Sequence, residues 1–207
     1  MRCMVEHPYR SATLLLLACA AGAAIGFGTG VEGLQALTRY TGRAGFALFA
    51  FVFVLSPWSR LWPGELVRGA IRRRRHLGLA FAYVHSVHLI VLLTYVRASG
   101  AELVPSRLAG GIAGYTAMAV MAATSNAAAV RKLGPRLWRR LHTICLYYLW
   151  FVFFLTYLPR LLGKSPNAGA GPVEIAVSFW LVVAIAALRI AAWWAPSAQR
   201  REAVAAP

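Results

Sequence analysis

The 207-residue chain contains no aspartate and only six glutamates. We expect all six to lie in loops, tails or helix ends (Glu6, Glu32, Glu65, Glu102, Glu174 and Glu202). This scarcity excludes acid–base catalysis by paired carboxylates and a carboxylate cage for a metal ion. It also excludes a carboxylate proton relay of the kind found in membrane pumps.

Cysteine is also scarce, because the chain has only Cys3, Cys19 and Cys145. They are far apart in sequence and form no C-x-x-C pair. Neither a disulfide framework nor an iron–sulfur cluster is therefore indicated. A P-loop motif for nucleotide binding is absent as well.

Apolar residues are abundant, at 59% of the chain with a mean hydropathy of +0.60. Soluble domains are about 45–50% apolar. The composition therefore predicts an all-α integral membrane protein.

Six apolar segments predict a six-helix bundle. The spans are predicted at residues 11–28, 42–58, 77–96, 108–130, 137–158 and 173–194. We interpret the first as an uncleaved helix rather than a signal peptide, and Pro57 as the end of the second. The predicted domains are a cytoplasmic N-terminal head (1–10), a six-helix transmembrane domain (11–196) and a cytoplasmic tail (197–207).

The formal net charge of +16 is unevenly distributed between the spans. Sixteen of the 22 lysines and arginines fall on the side that would hold both termini, mainly in the loops after the second and fourth spans. The positive-inside rule then places both termini in the cytoplasm of a bacterial inner membrane, as a multi-pass protein. Because the basic residues cluster between apolar spans, we do not expect a nucleic-acid partner.

Three of the five histidines lie within predicted spans. His85 and His88 share one face of the third span, about 60° apart, and His142 lies near the start of the fifth. Both spans follow basic loops, so they run parallel. Parallel helices that present imidazoles to a bundle core are the usual scaffold for b-type haem. His7 lies in the N-terminal head and His76 at the membrane edge, and we expect both to be solvated rather than ligating.

Other interpretations of these residues remain open. The imidazoles can instead form hydrogen bonds with backbone or hydroxyl groups. A structural zinc site is less well supported, because it needs four ligands that usually include cysteine. Arginines at the span ends can reach lipid headgroups or pair with haem propionates.

Four stretches in order carry a family resemblance. They are Thr41-Gly42, LSPWSRL (55–61), RRRRHLGLAFAYVHSVH (72–88) and TSNAAAVRKLGPRLWRRLH (124–142). Over about residues 40–160 the chain resembles the ferric-reductase-like transmembrane superfamily. It is most similar there to the haem b membrane subunit of the periplasmic methionine sulfoxide reductase system.

The resemblance implies an electron-transfer subunit rather than a complete enzyme. It implies one or two haem b groups, with FMN or a quinone as further candidate cofactors. The implied electron donor is a cytoplasmic flavin reductase or quinol. The implied acceptor is a periplasmic reductase of the molybdenum-cofactor type, reached across the lipid bilayer.

The resemblance also implies the site residues. His88 and His142 match family histidines, and the family has a third one thirteen residues after His142. This chain has Leu155 there, about 20 Å further along the helix and near the depth of His88. Three outcomes follow: His88 holds a five-coordinate or water-capped haem, His85 pairs with His142 in a shifted site, or haem binding is lost.

Two further functions remain as alternatives. One is a haem-free membrane scaffold or small permease. The other is a transmembrane metal (ferric) reductase, which the same superfamily includes.

Overall fold

A computed structural model of the chain describes residues 5–100, 105–164 and 170–195. The described residues are helical, with no strand among them, which confirms the predicted all-α class for this part of the chain. The predicted tail at 197–207 and the first four residues of the predicted head lie outside the described residues. The helices are α1 (Pro8–Phe27), α2 (Val31–Leu61), α3 (Glu65–Arg72), α4 (Arg74–Ser99), α5 (Pro105–Ala123), α6 (Ala127–Leu133), α7 (Pro135–Leu161) and α8 (Pro172–Trp194).

Five of these helices, α1, α2, α4, α7 and α8, are long and apolar enough to cross a membrane. The chain is therefore a multi-pass membrane protein. Within hydrocarbon a helix satisfies its own backbone hydrogen bonds, which is why these apolar stretches are helical. The α5–α6 pair would make a sixth span only if its two helices are taken together, because a bend of 100° separates them.

The continuous fourth span predicted at 108–130 is wrong. The helix stops at Ala123, and Asn126 adopts extended backbone geometry and caps α6. The Asn126 side chain accepts a hydrogen bond from the Ala129 amide at 2.8 Å. Short polar side chains compete with helical backbone bonds and favour the helix N-cap, so the chain changes direction here.

The predicted end of the second span at Pro57 is also wrong. Helix α2 continues through Pro57 to Leu61, and it begins eleven residues before the predicted start at 42. Proline has no amide hydrogen, so it leaves the carbonyl four residues earlier without its helical donor. Here that carbonyl belongs to Phe53, and Nη1 of Arg189 donates to it at 2.8 Å. The side chain from α8 thus replaces the hydrogen bond that Pro57 removes.

The basic loop predicted after the second span contains structure of its own. Helix α3 occupies Glu65–Arg72, and α4 begins at Arg74, three residues before the predicted start of the third span. The first, fifth and sixth predicted spans lie within three residues of α1, α7 and α8 at each end.

Helix α2 is the central element of the bundle. It packs most extensively against α4 and also contacts α1 and α8. Its middle is buried around Phe49, whose ring packs against the rings of Phe53, Phe81 and Phe153. Helix α7 packs between α5 and α8. This arrangement places the histidine-bearing helices α4 and α7 on either side of an aromatic core.

Candidate functional site

Two glycines of α2 face the two histidines of α4. A Cβ atom added to Gly42 would lie 3.1 Å from Cε1 of His88, and one added to Gly45 would lie 2.5 Å from Nδ1 of His85. Small residues let membrane helices approach closely. Gly42 and Gly45 therefore provide the space in which both imidazoles point into the bundle.

His88 has a defined hydrogen-bond partner in Thr41. The Thr41 hydroxyl lies 3.1 Å from His88 Nδ1, and it also donates to the Leu37 carbonyl at 2.8 Å. A hydroxyl has one hydrogen to donate. Because the Leu37 carbonyl takes that hydrogen, Nδ1 of His88 is the donor to Thr41 Oγ1. This tautomer leaves the lone pair on Nε2, one of the two ring nitrogens through which a neutral imidazole can bind a metal.

His85 is held by ring contacts instead. Its ring centroid lies 5.1 Å from that of His88, 5.3 Å from those of Phe81 and Tyr115, and 5.7 Å from that of Phe153. Its Nδ1 atom is buried and has no hydrogen-bond partner. A buried polar atom without a partner costs about 1–3 kcal/mol. His85 therefore has a buried nitrogen without a hydrogen bond, whereas Nδ1 of His88 is bonded to Thr41.

His142 lies in a separate environment at the start of α7. Its Nε2 atom is 2.9 Å from Oγ1 of Thr124, and its ring packs 4.2 Å from the ring of Trp138. The Thr124 hydroxyl donates to the Val120 carbonyl at 2.7 Å, so it accepts from His142. The lone pair of His142 is then on Nδ1. The indole of Trp138 donates to the Thr124 carbonyl at 2.9 Å and completes this cluster.

A cavity of about 470 Å³ lies between α4 and α7, and His142 lines it. Its walls are mostly apolar and include Phe49, Phe81, Met118 and Leu149. Four arginines, from the starts of α4 and α7 and from α8, line it as well (Arg74, Arg75, Arg139 and Arg189). The cavity thus combines an apolar interior, one imidazole and a cationic end.

The structure does not bring the three histidines together. His85 and His88 form one cluster, while His142 lines the cavity, and none of the described contacts joins His142 to either of them. In the described part of the chain, no three His, Cys, Asp or Glu side chains are grouped so that they could hold a metal ion. A direct His85–His142 pair is not present in this arrangement.

Position 155 does not face the histidines. Leu155 is 48% exposed, whereas Phe153 is buried and contacts the ring of His85. The interior face of α7 carries His142, Leu146, Leu149 and Phe153, at the three- and four-residue spacing of one helical stripe. Because thirteen residues turn a helix through about 220° beyond whole turns, His142 and position 155 face different directions.

His7 and His76 are both exposed, as the sequence predicts. They line a more open surface cleft of about 520 Å³ between the start of α1 and the end of α3. The hydroxyl of Tyr9 lies 3.3 Å from Nδ1 of His76.

Several residues that build the site were not predicted individually from sequence. Thr41 and Thr124 orient His88 and His142, Gly45 accommodates His85, and Arg189 reaches the cavity from α8. Thr41 is a polar residue within an apolar helix and Thr124 directly follows one, and this is the signal that could have identified them.

Two known proteins are similar to this chain over most of its length. A protein of Ralstonia nicotianae, named protein-methionine-sulfoxide reductase heme-binding subunit MsrQ, is 30% identical over 182 residues, which is 85% of this chain and 79% of the relative. A protein of the same name from Cronobacter sakazakii is 34% identical over 140 residues, 60% of this chain and 68% of the relative. No family model and no solved structure matches the chain.

The close approach of α2 to His85 predicts that Gly45→Ala destabilises the protein. The new Cβ would lie 2.5 Å from Nδ1 of a ring that four other rings hold in place. Overpacking of this kind costs about 1–3 kcal/mol, or several degrees of melting temperature for a chain of this size. Thermal unfolding of the detergent-solubilised protein measures it.

Gly111→Ala on α5 is the matched control, because a Cβ there meets nothing within 4 Å. Its melting temperature is expected to stay the same or rise slightly. Equal melting temperatures for the two variants would contradict the predicted contact.

Proposed function

The chain belongs to the MsrQ family of haem-binding subunits of protein-methionine-sulfoxide reductase, and we propose that it binds haem and delivers electrons to such a reductase. The observation that supports this most strongly is the cavity between α4 and α7. A haem held there supplies one-electron chemistry at its iron. The protein supplies the ligand, the apolar surroundings and the charges that hold the group.

The residues of the cavity fit a haem. Its volume of about 470 Å³ lies within the range of about 300–1,000 Å³ typical of ligand pockets. Its walls are mostly apolar and aromatic, and His142, whose Nε2 lies 2.9 Å from Oγ1 of Thr124, lines it. Arginines at one end can bind carboxylate groups. We therefore propose His142 as the haem ligand of this cavity, with Thr124 fixing its ring.

His88 is the second proposed ligand, and His85 the third candidate. The Thr41 hydrogen bond leaves the Nε2 lone pair of His88 available, and the unpartnered Nδ1 of His85 is a buried atom that lacks a bond. The His85 ring lies 5.3 Å from that of Phe81, which also lines the cavity. We infer that haem b occupies the bundle in one or two copies.

The cavity lies towards the basic end of the bundle. Arg74, Arg75 and Arg139 belong to the starts of α4 and α7, and the positive-inside rule assigns such segments to the cytoplasm. We propose that both termini are cytoplasmic, that the membrane is the bacterial inner membrane, and that electrons enter at this end. The proposed donor is a flavin reductase or quinol, and the proposed acceptor a periplasmic reductase of the molybdenum type.

The ligand assignment predicts that His142→Ala and His88→Ala each lower the haem content of the purified protein. Each variant removes a nitrogen that the proposal places on iron. His7→Ala and His76→Ala are the controls, because both side chains are exposed on the surface. The Soret absorbance per protein after expression in haem-replete cells measures the difference. Equal haem in all four variants would refute the assignment.

The proposed acceptor predicts selective electron transfer. Anaerobically reduced protein is expected to lose its reduced α-band on mixing with an oxidised periplasmic methionine sulfoxide reductase, and to lose it more slowly with a ferric chelate at the same concentration. Stopped-flow absorbance follows both reactions. Faster oxidation by the chelate would support a metal reductase and contradict the proposed partner.

A further inference from the structure

Two arginines from different helices line the cavity. Arg74 is the first residue of α4, and Arg189 lies five residues before the end of α8. Both are half-buried and both line the cavity, whereas Arg75 and Arg139 are exposed. Arg74, Arg189 and His142 all line this one cavity.

Arg189 is fixed in place by four contacts. Its Nη1 donates to the Phe53 carbonyl at 2.8 Å, and its Nε donates to the Tyr147 hydroxyl at 2.9 Å. Its guanidinium carbon lies 4.7 Å from the Phe53 ring centroid and 5.0 Å from that of Tyr147. A guanidinium has five N–H groups, and these two bonds use two of them. The group is therefore held rigidly and keeps further donors.

Arg74 is fixed to the same part of α2. Its Nη1 donates to the Ser56 hydroxyl at 2.7 Å. Ser56 precedes Pro57. Phe53 is the residue whose carbonyl lacks a helical N–H donor because of Pro57. The proline-containing end of α2 thus positions both guanidinium groups at the cavity.

In the described structure, neither Arg74 nor Arg189 forms an ion pair with a carboxylate. The ion pair found among the described residues joins Arg43 to Glu174, and no glutamate lines the cavity. Two like charges close together in apolar surroundings are unfavourable unless an anion accompanies them. The arrangement therefore favours a ligand that brings negative charge into an otherwise apolar cavity.

We propose that Arg74 and Arg189 bind the two propionate carboxylates of the tetrapyrrole that occupies this cavity. This inference rests on the proposed haem-binding function and deepens it. An apolar body with two carboxylates at one edge matches apolar walls with two guanidinium groups at one end. Arginine binds carboxylates through charge-assisted, often bidentate hydrogen bonds. Arg189, although near the end of α8, is then a binding residue.

The test compares iron protoporphyrin IX with its dimethyl ester, in which both carboxylates are neutral. The full-length protein is purified without haem from cells deprived of the haem precursor, and each compound is titrated and followed by its Soret band. The wild-type protein is expected to bind the free acid at least tenfold more tightly, since charge-assisted bonds contribute on this scale. Arg189→Gln and Arg74→Gln are expected to lose most of that preference while binding the ester as the wild type does.

Arg140→Gln is the matched control, because Arg140 is exposed on α7 and does not line the cavity. It is expected to keep the wild-type preference for the free acid over the ester. Arg189→Lys retains the positive charge and is expected to keep part of that preference. The test therefore does not depend on the folding of a single variant.

Three results would overturn the inference. Equal wild-type affinity for acid and ester would show that the carboxylates are not bound, although haem binding itself would stand. Equal loss of both affinities in Arg189→Gln would show a packing role. An anionic lipid retained by the wild type and lost from Arg189→Gln would identify a different occupant. Failure of the wild type to bind either compound would instead contradict the proposed function.

Discussion

The contact between α2 and α4 is the interaction on which the rest of the site depends. Gly42 and Gly45 remove side chains from α2 where the imidazoles of His88 and His85 face it. An imidazole is costly in hydrocarbon, so it must point into the bundle. Larger residues at these two positions would separate the helices. The same helix orders the arginines at its other end, through Ser56 and the Phe53 carbonyl.

This packing divides the polar interior into two levels along the bundle. At the basic end lies the cavity, with His142 and the arginines. Further along α4 lies the packed pair of His85 and His88. The ring of Phe81 belongs to both, because it lines the cavity and lies 5.3 Å from the ring of His85. The polar side chains of the bundle thus lie at two successive depths.

The sequence predicted the helices better than their ends. A long apolar segment in hydrocarbon must form a helix to satisfy its backbone hydrogen bonds, so the spans could be predicted from hydropathy. Pro57 was predicted to end a helix because its missing donor is a local property. The donor that replaces it belongs to Arg189, which is distant in sequence, so only the folded structure could show it. The break at Asn126 depended likewise on one side-chain cap inside an apolar run.

The sequence predicted which histidines belong to the candidate site, but it did not predict which of them lie together. His85, His88 and His142 could be identified as polar groups inside spans. Their separation into two environments depends on the rotation of α4 and α7 about their own axes. A small change in that rotation would point a histidine towards a different neighbour. Leu155 illustrates the point: its depth could be computed from the helix rise, but its outward direction follows from the register of α7. Arg189 was not singled out from the sequence, yet its side chain lines the cavity.

The central claim is that this bundle holds haem, and a pyridine haemochrome determination on the purified protein tests it most directly. Full-length protein is prepared from haem-replete cells, and its haem b is quantified against its amino-acid content. One haem per chain is expected if only the cavity is occupied, and two if the His85–His88 pair holds another. A protein without haem after such expression would contradict the account.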